Sequence, residues 1–560
     1  MRKCRLIVIG ALALGALWAA PTAAQSSRKP LIMPMASPAG PSSWLLGQPY
    51  GNTVGAFNFG TQWYSAGQGL HFGVDISMPC GTPLVAAADG EVIYADNLSF
   101  GAGPHNLILR HPQLGITTLY GHLLDRPPVR ALQPVQQGQI VGYSGDPDVT
   151  CDSRPHLHFE VRSLDYRTAY NPVDYIEANW HALAAVGPFN QPLFQQDFTD
   201  PRRWMSLEDQ PPVAFGGARL NAYTFTWPPP PEQRPPASAP PFRPFTPLPD
   251  SLIWQFRPLA ADGCCASHWW HPAEPARLYA VDGAAGAAAA LLTWDLTAGD
   301  APIVAGSPPP PQFSSDGLYQ TAVEGGQARL RRLSDGAEWF VPTGGFTPTA
   351  SPGGHWLVWQ AQAGRFVPGA APPPVEIWIS ALDGSGARRI AAGPRLSAAW
   401  LDGERLLLAQ TERTMTTLAV YQPADGASFT LGSWDRLRGL SLAPGGGWLL
   451  FYQNFQTDPA ANAVYALPTT PGAVPQRLPW FGGWRWRDAE SVYYLPFEPA
   501  SPSQTLAYYH IPTGDDRRLT DPAAQPFLIA NGDWSVAADG RRIAFQNVAD
   551  RRLWVLELSG

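Results

Sequence analysis

Residues 251–560 repeat one plan roughly every 35–50 residues: a Gly turn, an apolar strand, a second strand rich in aromatics, and another Gly turn. The units include SSDGLYQTAV with ARLRRLSDG, SPGGHWLVWQ with EIWISALDG, and LDGERLLLAQ with LAVYQPADG. APGGGWLLFYQ with NAVYALP, RDAESVYYLP with LAYYHIPTG, and AADGRRIAFQ with LWVLELSG complete the series, and a less regular PARLYAV with LLTWDLTAG precedes it. One such unit cannot bury its own apolar strands, so its neighbours must cover it, and closing the series into a ring removes open sheet edges. The recurrence predicts a six- or seven-bladed β-propeller over 251–560. A pair of irregular β-sandwiches competes, but nothing in that arrangement calls for regular repetition.

The remainder of the chain is set apart by Pro228–Pro249, where 11 of 22 residues are proline. Such a segment cannot pack a core and favours an extended spacer. The spacer belongs to a bridge spanning 181–250, and residues 46–180 read as one compact unit ahead of it. With 45% apolar and only 15% charged residues, 54 Gly and 61 Pro, the whole chain favours short strands and tight turns, so the fold class expected is all-β.

At the start, Arg2, Lys3 and Arg5 precede the apolar run LIVIGALALGALWAA and the small residues PTAAQ. This is the three-part pattern of a cleaved secretory signal over 1–24, with an uncleaved anchor as the alternative; either sends the remainder out of the cytoplasm, to be secreted or held in the cell envelope. Residues 25–45 form an N-terminal segment too short for an inhibitory domain. Removing 1–24 takes three cations and no acid from a chain of net charge −7. No basic stretch then survives, so a nucleic-acid partner is not expected. Cys80 and Cys151 can form a disulfide in an exported chain, whereas Cys264 and Cys265, being adjacent, are open to being two free thiols.

Within 46–180, TPLVAAADGEVIYAD reads as a hairpin turning at Asp89-Gly90, and HNLILRHPQLGITTLYGHL as a second hairpin turning between Pro112 and Gly115. The unit is thus a small antiparallel β-domain. Inside PHLHFEVR, His156 and His158 stand two apart on a predicted strand and so point to the same face. His71 and Asp75 stand four apart in GLHFGVDIS, and His122 ends the second hairpin. Imidazole nitrogen and carboxylate oxygen suit zinc, and a catalytic zinc takes three protein ligands and keeps a fourth position open. His71, Asp75 and either His156 or His158 would complete that set. His105 and His111 stand outside these blocks and read as loop or sheet residues, as Tyr120 and Asp89 read as structural ones. The histidines beyond the spacer, His268, His271, His355 and His510, show no ligand spacing.

HFGVDISMPCGTPLVAAADGEVIYA, NLILRHPQLGITTLYGHL, VQQGQIVGYSGD and RPHLHFEVR, in that order, resemble the successive blocks of the lysostaphin and LytM-type zinc endopeptidases, and AYNPVDYI resembles their closing block. The resemblance covers 70–176. It implies one zinc per chain held by His71, Asp75 and His158, with His122 and His156 as the catalytic histidines that touch water or substrate. It also implies action on peptidoglycan peptides. We take His156 as the base and His122 at the oxyanion, a division of roles that the sequence leaves open. Where that family carries a Gly-rich STGxSTGPHLH loop, this chain has SGDPDVTCDSRPHLH, so the groove beside the metal differs. The repeats after the spacer resemble the blades of TolB-like propellers, which implies a binding module for a protein or glycan. A non-enzymatic regulator of other wall hydrolases, and an endopeptidase of Gly-rich extracellular proteins, are the alternatives. Regulators of the first kind usually lack metal ligands, and this chain lacks none.

Overall fold

In the first domain the chain forms β1 (Leu45–Gln48), β2 (Val74–Ser77), β3 (Pro83–Val85), β4 (Gly90–Ala95), β5 (Leu107–His111), β6 (Ile116–Gly121), β7 (Pro134–Val135), β8 (Ile140–Tyr143), β9 (His156–Ser163) and β10 (Thr168–Tyr170). The computed structural model describes residues 29–186, 192–223, 226–227, 253–259, 264–265, 267–283, 288–299, 301–306, 312–362, 364, 373–524 and 526–559. The signal sequence expected at 1–24 and the Pro-rich stretch 228–249 lie outside the described residues.

A single sheet runs β1-β2-β9-β6-β5-β4-β7, with β10 also on β9 and the short strand Val213–Ala214 on β10. Strand β9 lies between β2 and β6 and is buried over seven of its eight residues. Its alternation decides what each face does: Leu157, Phe159 and Val161 enter the apolar core, while His156, His158, Glu160 and Arg162 take the opposite face. Phe159 meets the Tyr120 ring edge-on, with centroids 5.2 Å apart. The same core draws in Leu31 and Met35 from before residue 46, and Phe194, Leu207 and Val213 from beyond residue 180. Segments expected to flank the domain therefore complete it.

The second hairpin forms as expected: β5 pairs antiparallel with β6, and Gly115 takes φ +69° after the Pro112–Leu114 turn. The first does not form. Strand β3 pairs with β8, and β4 with β5 and β7, so the strands flanking Asp89-Gly90 part instead of pairing. Gly90 lies inside a strand, where a Cβ would collide with the Arg110 carbonyl and come within 2.8 Å of the His111 ring. The glycine answers a close backbone approach, the second meaning a glycine in a strand can carry. Gly90→Ala is expected to lower the unfolding free energy by about 1–3 kcal/mol, read by urea denaturation. His111 and Tyr120 are structural: His111 binds the Asp89 carbonyl at 2.8 Å and the Thr118 hydroxyl at 2.9 Å, and Tyr120 donates to the Val85 carbonyl at 3.0 Å.

The second domain is a β-propeller of seven four-stranded sheets, which resolves the choice between six and seven blades. The first strands of successive blades are Ser267–Trp270, Gln312–Phe313, Thr349–Ala350, Leu396–Trp400, Leu437–Leu442, Gly482–Trp486 and Ile529–Val536. The seventh blade takes three strands from the C-terminal end and its fourth, Ile253–Pro258, from the start of the domain, paired along Leu553–Ser559. Closure thus joins the two ends of the domain by backbone hydrogen bonds. Aromatic side chains fill the ring: Trp294, Trp484, Tyr493, Phe451 and Phe545 are wholly buried.

The two domains share a core. Leu45 of β1 and Val186 pack in one apolar cluster with Ala443, Leu450, Tyr452 and Trp484 of the propeller. Backbone and side-chain bonds reinforce the junction, among them Phe455 N–H to the Pro41 carbonyl at 2.9 Å and Asn179 Nδ2 to the Ser501 carbonyl at 2.6 Å.

Candidate metal centre and cleft

Asp75 on β2 sits directly across from His158 on β9, and His158 is also paired with Gly121 of β6. His71 precedes β2, anchored by a bridge between its backbone and Gly51. Together the three bring one donor atom each within 4.8 Å of the others. Asp75 Oδ1 lies 2.8 Å from His158 Nδ1 and 3.2 Å from His71 Nε2, and the two ring nitrogens are 3.3 Å apart. Gly73 leaves the space for this: a Cβ there would come within 2.8 Å of the His158 ring.

The far nitrogens are already committed. His71 Nδ1 donates to the Pro49 carbonyl at 2.8 Å, and His158 Nε2 donates to Glu160 Oε1 at 3.1 Å. Glu160 is in turn gripped at both oxygens by Arg162, at 2.5 and 2.9 Å. Partners of this kind set the tautomer and aim the lone pair of each imidazole inward. Sequence reasoning missed Pro49, Glu160 and Arg162; the i, i+2, i+4 series from His158 along β9 was the available signal for the last two.

Electrostatics agree with a cation site. Burial disfavours charge on His158, but hydrogen bonds and charge from Asp75 and Glu160 outweigh it and hold its pKa up at about 9. A pocket that retains a proton this firmly stabilises positive charge, and a metal entering it must displace that proton. The donor set, its orientation and its charge fit zinc: two imidazoles and a carboxylate on one point, with the cleft side left open. The other cluster among the described residues, Cys264, Cys265 and Asp282, is buried and does not line this cleft.

His122 and His156 stand beside the donors, their ring centroids 4.7 Å apart, with His122 5.8 Å from His158. His122 Nδ1 donates to the Gly103 carbonyl at 2.5 Å and His156 Nδ1 to the Arg154 carbonyl at 2.7 Å. In the neutral ring this tautomer leaves Nε2 as the lone pair. Burial, with His156 and His158 adding to it, pushes the His122 pKa down to about 3. His105, by contrast, pairs with Asp96 at 3.0 Å and does not line the cleft.

The cleft over these residues has a volume of about 1180 Å³. One wall is the loop that departs from the family pattern, and Pro147, Ser153 and Arg154 face the cavity from it. Asp146 folds this loop by accepting from the backbone N–H of Ser153 at 3.1 Å and of Arg154 at 2.9 Å. Cys151 within it is bonded to Cys80, their Cα atoms 6.0 Å apart, and Asp152 pairs with Arg413 of the propeller. With its cysteines 71 positions apart in the sequence, this disulfide closes a long loop. Cys151→Ser is expected to lower the unfolding free energy by about 2–4 kcal/mol, read by denaturant titration with and without reductant.

The model for peptidase family M23 matches residues 69–172. A 139-residue stretch is 29% identical to the glycyl-glycine endopeptidase ALE-1 of Staphylococcus capitis, covering 24% of this chain and 36% of that protein. A 114-residue stretch is 38% identical to the uncharacterized lipoprotein YgeR of Escherichia coli, covering 20% of this chain and 42% of that protein. The chain thus spans well under half the length of these relatives. Among solved structures, the catalytic domain of lysostaphin from Staphylococcus simulans is 27% identical over 23% of this chain and 87% of that one, with a TM-score of 0.19. Residues 69–172 are a peptidase family M23 domain, and a seven-bladed β-propeller follows it in the chain.

Proposed function

We propose that this protein is an exported zinc metalloendopeptidase, with one zinc per chain, that hydrolyses peptide bonds in peptidoglycan cross-links. The observation that carries the reading is the convergence of His71, Asp75 and His158 on one point at the floor of an open cleft, their far nitrogens already engaged. The endopeptidase named among the relatives supports the reaction class, and the Cys80–Cys151 disulfide supports an oxidising compartment. The propeller serves as a binding or placement module.

His71, Asp75 and His158 would hold a zinc ion, which would supply Lewis-acid chemistry: polarisation of a carbonyl and a lowered pKa for a water. His156 presents its Nε2 lone pair 3.7 Å from Asp75 Oδ1, at the edge of the donor set, and takes the water's proton there. It then returns that proton to the leaving amine. His122 stays neutral and has its one N–H committed to Gly103, so it presents only an acceptor. It accordingly orients the water by accepting a hydrogen bond, a different part from the oxyanion role expected of it from the sequence.

The test is a digest of purified peptidoglycan by the full chain, with mass analysis of the released peptides. Cross-linked dimers converted to monomers, in a chelator-sensitive manner, are expected. Intact cross-links after exhaustive digestion by zinc-loaded protein would reject the assignment.

A further inference from the structure

The cavity that holds the metal donors does not end within the first domain. Its lining continues onto the fifth propeller blade through Arg436, Arg438, Tyr452, Asn454 and Phe455. The junction fixes this arrangement, because Leu45 of the cleft-lining strand β1 lies in one buried cluster with Tyr452, and the Phe455 N–H is bonded to Pro41. The blade is also shaped for it. Strand Leu437–Leu442 breaks register with its neighbour between Arg438 and Ser441, and a bulge of this kind re-aims a side chain next to a site.

Charge in the cavity runs against that of the molecule. The chain carries net charge −7, yet Asp75 is the one carboxylate among the cavity's lining residues, and it belongs to the donor set. The cations are Arg154, Arg162, Arg436 and Arg438. Arg162 is spent on Glu160, Arg436 lies 3.4 Å from Asp435, and Arg154 stacks over Trp63 at 4.9 Å. Arg438 is exposed and makes no ion pair or side-chain hydrogen bond with any described residue. A guanidinium carried on a fixed wall of the cleft, with no carboxylate of its own, is a bidentate receptor for a carboxylate.

We infer that Arg438 of the propeller forms a carboxylate-binding subsite of the peptidase cleft, selecting peptides that carry a free carboxylate on one side of the scissile bond. The inference rests on the endopeptidase reading for its substrate class. The carboxylate has two chemical sources, an acidic side chain or a chain terminus. On this account the propeller is part of the substrate groove and not merely a remote anchor.

Binding to the full zinc-loaded chain separates this inference from the reaction itself. Three fluorescein-labelled peptides share an N-methylated glycine core that resists hydrolysis: one has Glu and an amidated end, one Gln and a free C-terminal carboxylate, one Gln and an amidated end. Fluorescence anisotropy is expected to show the wild type binding one of the charged peptides about tenfold tighter than the neutral one. Which charged peptide is favoured identifies the source. Arg438→Ala is expected to erase the preference and Arg438→Glu to invert it, while Arg438→Lys keeps part of it. Unchanged zinc content and melting temperature in all three variants would establish that they are folded. A wild type blind to the carboxylate, or an Arg438→Ala variant that discriminates as well as wild type, overturns the subsite. Cleavage of the unmethylated parent peptides is measured separately. Its absence alongside an Arg438-dependent preference counts against the endopeptidase and leaves the subsite standing.

Discussion

Replacing His158 with alanine is expected to take the purified chain from one bound zinc to almost none, and to lower peptidoglycan hydrolysis by a factor of about 10³ or more. His158 is the residue most tightly built into the donor set. It faces Asp75 across the strand pair at 2.8 Å, touches His71 at 3.3 Å, and is aimed by Glu160 from behind. Without it the remaining donors are one imidazole and one carboxylate, which do not make a closed side to a tetrahedral site. Metal analysis of dialysed protein and product mass analysis read the two effects independently. His105→Ala is the matched control, since His105 pairs with Asp96 away from the cleft. A His158→Ala chain that still holds stoichiometric zinc and still releases cross-link fragments would remove the basis of the assignment.

Glu160→Ala is expected to cost about 3–5 kcal/mol of stability, because it leaves the Arg162 guanidinium buried without its counter-charge. Arg162 is 5% exposed and Glu160 wholly buried, and both Glu160 oxygens are engaged by that one side chain. The same substitution frees His158 Nε2 and is expected to weaken zinc binding about 10–100-fold. Burial alone would raise the Glu160 pKa, but the Arg162 charge and the His158 hydrogen bond outweigh burial and hold it below the usual carboxylate range. A carboxyl depressed in the folded state contributes stability above its unfolded value and loses it as pH falls through the folded one. The gap between wild type and Glu160→Ala is therefore expected to be widest near neutrality and to narrow below about pH 4. Urea titrations at several pH values, with zinc competition by a chromophoric chelator, read both effects. Equal stability of the two proteins at neutral pH would show that the Glu160–Arg162 pair does not brace the site.

Much of the architecture was legible from local pattern. Alternation along β9 put His156 and His158 on one face, and the turn at Pro112–Gly115 joined two strands that do pair. The repeat period after the spacer announced a ring. It left the blade count open because the first unit is irregular and the seventh blade borrows its outer strand from about 300 residues away in the chain, as Ile253 opposite Ser559 shows, a pairing no local signal encodes. Asp89-Gly90 misled for a related reason. The dipeptide carries a strong short-range turn preference, but the packing of Gly90 against Arg110 and His111 overrode it.

By itself the sequence determined the identities of the five clustered polar residues, the strand that carries two of them and the all-β repeat, because alternation and turn chemistry act over a few neighbouring residues. Tertiary structure alone decided the rest: the 4.8 Å gathering of His71, Asp75 and His158, the bracing of His158 by Glu160 and Arg162, and the entry of Arg438 into the same cleft. Those facts depend on strand register and on a shared core between two domains, which are set by burying apolar surface from distant parts of the chain at once.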